Sequence, residues 1–144
     1  MKTYIYIDGF NFYYGAVKNT PYKWLDFKTL FYNLLQPQHN IACIKYFTAY
    51  VLNLAIHLLN DSWKNEFDCV VVVSNDSDLA EALRMVVQQN NKIVGVINPR
   101  IGKPPARELM KYAKFYKTIS KGVLKISQLP DHIPGTKIHK PLTW

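Results

Sequence analysis

Three aspartates are spaced to hold a cation. Asp8 closes a short β-branched and aromatic run, and Asp76 and Asp78 follow directly on the apolar run Cys69–Val73. If those runs are parallel neighbouring strands, three carboxylates gather at one edge of a sheet and repel one another. A divalent cation relieves that repulsion, and Mg²⁺ favours a few carboxylates completed by waters. An ion held this way activates water and stabilises the charge that develops on a phosphate. Each acid also has a plainer explanation. Asp76 or Ser77 suits a helix cap, and Asp8 before Gly9 suits a turn. Taken as a set, the three favour a metal site. Asn11 lies one helical turn past Asp8, where it suits a ligand contact, the orientation of a carboxylate, or a cap. Ser74 and Asn75 stand at the same edge.

The elements that must position these residues alternate strand and helix. Strands are expected at 3–7, 41–49, Cys69–Val73, 92–97 and 116–119. Helices are expected at 27–35 with Asp26 as cap, 52–63, 79–89, 107–115 and 121–128. The continuous apolar run Cys69–Val73 marks a strand covered on both faces. Such alternation predicts an α/β fold with a mostly parallel central sheet and helices on both faces. Ligands of such sheets bind at the carboxyl ends of the strands, where the strand order switches. Residues 129–144 hold three of the eight prolines and read as an irregular tail after a domain at 1–128.

Charge is distributed unevenly along the chain. The net charge is +8, and residues 92–144 hold eleven of the 18 basic side chains but two of the 10 acidic ones. A basic third suits an anionic partner, nucleic acid or a membrane surface. Acids at a strand edge have no use on a membrane, so nucleic acid is favoured. Arg100, Lys103 and Arg107 surround the loop at 99–105, close to the expected site. Arg107 can fork onto a phosphate, and Lys103 can act there as a point charge. Tyr112, Phe115 and Tyr116 could stack bases, or belong to the core. Phe10, Phe12, Tyr13 and Tyr14 are expected to pack the first helix onto the sheet, or one exposed Tyr near the metal edge could contact a base. His57 reads as a packed or surface residue, and Asn53 as a polar site contact or an N-cap.

Other classes fall away. No apolar run approaches the ~18 residues of a membrane span. The apolar stretch after Met1 is too short for a signal peptide and ends in Asp8. Cys43 and Cys69 are expected as free thiols inside strands, and the four histidines show no zinc spacing with them. A cytoplasmic protein is expected. No Gly-rich dinucleotide or Walker-type loop is present.

Two motifs resemble those of a known family. Tyr6-Ile7-Asp8-Gly9-Phe10-Asn11 and Ser74-Asn75-Asp76-Ser77-Asp78-Leu79 are similar to motifs of the NYN domain, the LabA/DUF88-like branch of the PIN-like nuclease superfamily. Residues 46–49, 53–63 and 127–131 look like the same branch. The resemblance implies a Rossmann-like (PIN-like) α/β/α sandwich with a Mg²⁺- or Mn²⁺-dependent ribonuclease site. By matching position it implies Asp8, Asp76 and Asp78 as catalytic metal ligands and Asn11 as the motif's asparagine. The expected substrate contacts are Asn11, Ser74, Asn53, Lys103 and Arg107.

The chain departs from that pattern in one region. Where the family carries an acid before the central helix, Val51 stands here, and Ala49 is followed almost at once by Asn53. A strand and a helix of the usual fold are missing. Fewer carboxylates would then hold the metal, and one edge of the core would lie open unless a homodimer covers it. Two functions follow as expectations. One is a metal-dependent RNA hydrolase. The other is a catalytically impaired RNA-binding or regulatory module of the same family.

Overall fold

The computed structural model describes all residues from Met1 to Trp144. Its centre is a five-stranded sheet in the order β2-β1-β3-β4-β5. The strands are β1 (Lys2–Asp8), β2 (Asn40–Phe47), β3 (Cys69–Val73), β4 (Ile93–Asn98) and β5 (Phe115–Thr118), and every pairing is parallel. The helices are α1 (Gly9–Phe12), α2 (Phe27–Leu34), α3 (Val51–Trp63), α4 (Ala80–Gln88), α5 (Arg107–Met110) and α6 (Lys121–Lys125). A π-turn over Tyr13–Val17 extends α1, and a 3₁₀ turn over Ser77–Leu79 leads into α4.

Alternation along the strands sorts the core into two layers. Ile5, Ile7, Val71 and Val73 face one way, against Phe12, Leu30, Phe31 and Leu124. Tyr6, Val70 and Val72 face the other, against Leu54, Leu58, Leu83 and Val86. All five residues of β3 are buried, as an apolar run between two helical layers requires. The result is a Rossmann-like α/β/α sandwich.

The topology fixes where a site belongs. From β1 the chain moves outward to β2 at the edge. It then crosses back over β1 through α3 to reach β3, and continues the other way to β4 and β5. The direction reverses between β1 and β3, so the crevice for a ligand lies at their carboxyl ends. Ile7 pairs with Val73 in register, which sets Asp8 beside Ser74.

The fold departs from the sequence expectations in several places. The helix expected at 107–115 ends at Met110. The Lys114 N–H bonds to the Val94 carbonyl at 2.8 Å and draws the chain into the sheet, so β5 begins at Phe115. Gly95 makes this possible, because a Cβ there would lie 2.1 Å from the Phe115 ring. Tyr112, Phe115 and Tyr116 are accordingly half-buried packing residues rather than a base-stacking row. The second strand stops at Phe47, and the last helix at Lys125. Residues 129–144 hold an isolated bridge between His132 and His139. The start of this tail is tied to the body by the Trp24 indole N–H, which donates to the Pro130 carbonyl at 2.8 Å.

The two edge strands, β2 and β5, bury none of their residues. On the nearby α3, Leu52, Ile56 and Trp63 stand exposed. Both cysteines are free. Cys69 is buried, which pushes its thiol up to about 11, while Cys43 is half-buried. No helix is long and apolar enough to cross a membrane.

Candidate active site

Asp8 is the last residue of β1 and the N-cap of α1. Its Oδ1 accepts the Asn11 backbone N–H at 3.1 Å, and its Oδ2 accepts the Ser74 hydroxyl at 2.9 Å. It is 8% exposed, yet its carboxylate lines a cavity of about 550 Å³. The capping role and the site role therefore coincide in one side chain.

Ser74 continues β3 and is fully buried. Its Oγ donates to Asp8 and accepts the Asp76 N–H at 3.1 Å. Asp76 caps the 3₁₀ turn, with Oδ1 accepting the Asp78 N–H at 2.9 Å. Asp76 lines the same cavity as Asp8. Asp78 is exposed on the turn and is not among the lining residues. No three of the His, Cys, Asp and Glu side chains come together as a preformed metal cluster.

The Asn11 side chain neither caps a helix nor bonds a carboxylate. Its Oδ1 accepts the Asn75 backbone N–H at 3.1 Å, which ties α1 to the end of β3. That bond fixes the amide's orientation and turns Nδ2 the other way. Asn75 in turn donates its side-chain N–H to the Pro104 carbonyl at 3.1 Å and accepts the Ala106 N–H at 2.7 Å. Through these bonds the basic loop after β4 is fastened to the acidic strand end. Lys103 and Arg107 sit exposed on either side of that fastening and form no salt bridge, but neither lines the acidic cavity.

The remaining wall comes from the shortened middle. Thr48, Ala49, Tyr50 and Val51 line the cavity that the acids share, together with Phe10 and Asn11. Val51, the residue at the place of the absent acid, thus faces the same space as Asp8 and Asp76. Tyr50 is the N-cap of α3 and makes no side-chain cap bond, so Asn53 is not the cap. Asn53 is exposed and does not line the cavity. His57 is exposed against the Phe47 ring.

Two features escaped sequence reasoning. Asp61 is 7% exposed on the inner face of α3, where its Oδ2 accepts hydrogen bonds from Tyr6 and Lys45. Burial alone would raise its pKa, and the bonds from Lys45 and Tyr6 outweigh that and hold the carboxyl below its ordinary value. Its signal was an acid at i+7 from Leu54 on an otherwise apolar stripe. The second feature is the aromatic run after Asp8. Phe12 is buried as expected, but Phe10, Tyr13 and Tyr14 are exposed. One helical face cannot bury four aromatics in five consecutive positions.

The donor set can be weighed against a divalent ion. Asp8 keeps a lone pair on each oxygen after its two hydrogen bonds, and no protein donor occupies Oδ2 of Asp76. Two aspartates lining one roomy cavity suit Mg²⁺ or Mn²⁺. Such ions are commonly held by one or two carboxylates, with waters and substrate phosphate completing the shell.

Comparison with known proteins places the fold. No known family profile matches the chain. The 6-hydroxy-3-succinoylpyridine 3-monooxygenase HspA of Pseudomonas putida is 26% identical over 235 residues, covering 100% of this chain and 75% of that protein. That stretch exceeds the 144 residues of this chain, so the relative carries segments without a counterpart here. A protein of unknown function from Vibrio parahaemolyticus superposes with a TM-score of 0.64 at 16% identity, over 83% of this chain and 93% of that one. An ABC transporter solute-binding protein from Agrobacterium vitis, with bound D-fucose, gives 0.50 at 11% identity, over 81% of this chain and 36% of that one. At such identities the structural likeness is of fold alone.

Proposed function

We propose that the chain is a divalent-metal-dependent ribonuclease of the NYN type, acting on RNA in the cytoplasm. The observation that carries this reading is the pairing of Asp8 and Asp76 on one cavity at the switch point of a parallel sheet. Asp8 and Asp76 would hold Mg²⁺ or Mn²⁺, and an ion so held lowers the pKa of bound water and offsets charge on a phosphate. Ser74 keeps the Asp8 carboxylate turned toward the cavity. Asp78 contributes through its N–H, which holds Asp76. Asn11 offers Nδ2 to a phosphate oxygen, and Lys103 and Arg107 attract the strand from the loop that Asn75 fastens. Two unpaired cysteines are in keeping with a reducing compartment.

The test is incubation of purified protein with labelled single-stranded RNA and Mn²⁺, beside Asp8→Asn and an EDTA control. Cleavage lost in both controls supports the hydrolase. Cleavage unaffected by the substitution rejects it.

A second reading is favoured by Val51. With an apolar side chain where a third acid would face the cavity, the chain would be an RNA-binding or regulatory module without turnover. RNA affinity that weakens steeply with salt, without cleavage, distinguishes that case. The name of the Pseudomonas relative denotes oxygen insertion into a pyridine, a chemistry that 26% identity does not transfer to these side chains. A homodimer would seat a second copy on the β2 edge and the exposed Leu52, Ile56 and Trp63. A solution mass of twice 16.7 kDa supports it, and the monomer mass rejects it.

A further inference from the structure

The exposed rings beside Asp8 form a surface that packing does not explain. Gly9, Phe12, Ala16 and Val17 take the inner face of α1 and the π-turn. Phe10 is left 55% exposed and Tyr14 61%. Their rings lie nearly parallel, 18° apart in plane with centroids 6.4 Å apart. Lys18 places its ammonium 4.9 Å from the Tyr14 ring centre. Two large rings held side by side in water, with a cation over one of them, make a platform rather than a core.

The platform adjoins the acidic cavity. A second hollow of about 240 Å³ is lined by Phe10, Asn11, Tyr14, Gly15 and Arg100, and it shares Phe10 and Asn11 with the first. Its one charged residue is Arg100, which forms no salt bridge. Gly15 brings Arg100 there. A Cβ on Gly15 would lie 2.8 Å from the Arg100 Cγ and 3.0 Å from the Pro99 carbonyl oxygen. The approach is fastened by the Ile101 N–H on the Gly15 carbonyl at 3.2 Å and the Arg100 N–H on Asn98 Oδ1 at 2.9 Å. Along the surface the order is therefore acids, then aromatic rings, then a free guanidinium.

That order matches the chemistry of a single nucleic-acid strand. Phosphates recur along it, with a base face between them, and aromatic rings stack any base while arginine takes the backbone. In a duplex the base faces are covered by neighbouring bases, so a ring platform has nothing to bind. We propose that Phe10 and Tyr14 stack an unpaired base one step from the Asp8–Asp76 cavity and that Arg100 holds the adjoining phosphate. The proposal rests on the RNA reading above and adds the strand's path and the residues that hold it.

Fluorescence anisotropy in EDTA separates binding from turnover. The probes are a fluorescein-labelled 12-residue uridine RNA and a 12-base-pair RNA duplex. The wild type binds the single strand more tightly than the duplex. Phe10→Ala and Tyr14→Ala each weaken single-strand binding by roughly 5- to 100-fold. Phe10→Trp, which keeps a ring, restores affinity. Arg100→Ala lowers the slope of log affinity against log salt by about one. Circular dichroism melts of all variants establish that they fold. Folded ring-deletion variants that bind like the wild type overturn the platform while leaving RNA binding intact, and so does a preference for the duplex. A wild type that binds neither probe overturns the platform and the RNA reading together.

Discussion

The hydroxyl of Ser74 joins the two acids of the site, donating to Asp8 Oδ2 at 2.9 Å and accepting the Asp76 N–H at 3.1 Å. One buried atom thereby sets the relative position of β1's last carboxylate and the turn that carries the second. Ser74→Ala leaves a nearly buried carboxylate short of one donor, a loss of about 1–3 kcal/mol. The expected result is a lower urea midpoint and a cleavage rate reduced at least tenfold. Unfolding curves and single-turnover rates check both.

Val51→Asp places a third carboxylate on the cavity that Asp8 and Asp76 share. Without metal the added charge repels the other two and lowers the melting temperature. With Mn²⁺ the order reverses, because binding to the folded state alone stabilises it. We expect Mn²⁺ to raise the melting temperature of Val51→Asp more than that of the wild type. Equal shifts in the two proteins would mean that Val51 does not face the bound ion.

Asp61 gives the fold a pH dependence. Burial opposes its charge, but bonds from Lys45 and Tyr6 hold its pKa below the ordinary value. A carboxyl depressed in the folded state stabilises the fold above its unfolded pKa of about 4 and loses that contribution as pH falls through the folded value. Stability should therefore decline on acidification below about pH 4, and Asp61→Asn should flatten that decline. Lys45 keeps partial access to water, so the substitution costs about 2 kcal/mol at neutral pH, less than for a fully buried pair. Urea unfolding at several pH values measures both effects.

Much of this architecture was legible because its causes are local. Five consecutive apolar residues at Cys69–Val73 can only be covered on both faces, and Asp26 caps α2 through its bond to the Thr29 N–H. The placement of two acids beside one cavity was legible for the same reason, since Asp8 closes β1 and Asp76 follows three residues after β3 ends at Val73. What failed depended on distant partners. Nothing in residues 107–115 breaks a helix. It ends because Gly95, on another strand, leaves room for Phe115. Asp78 follows Asp76 by two residues, and only the 3₁₀ turn shows that Asp76 lines the cavity while Asp78 does not. Which of the rings at 10–14 are exposed was not legible, because aromatic content signals burial on average, while the face each ring takes is set by the turn.

The most direct test is the Mn²⁺ dependence of RNA cleavage for the wild type, Asp8→Asn, Asp76→Asn and Asp78→Asn under single-turnover conditions. Asp8→Asn and Asp76→Asn should each lose activity by at least about a hundredfold at low Mn²⁺ and recover part of it as Mn²⁺ rises, while Asp78→Asn, which keeps the backbone N–H that holds Asp76, loses less than about tenfold. Cleavage by the wild type without added metal in EDTA, or Asp8→Asn and Asp76→Asn cleaving like the wild type at every Mn²⁺ concentration, would contradict the assignment.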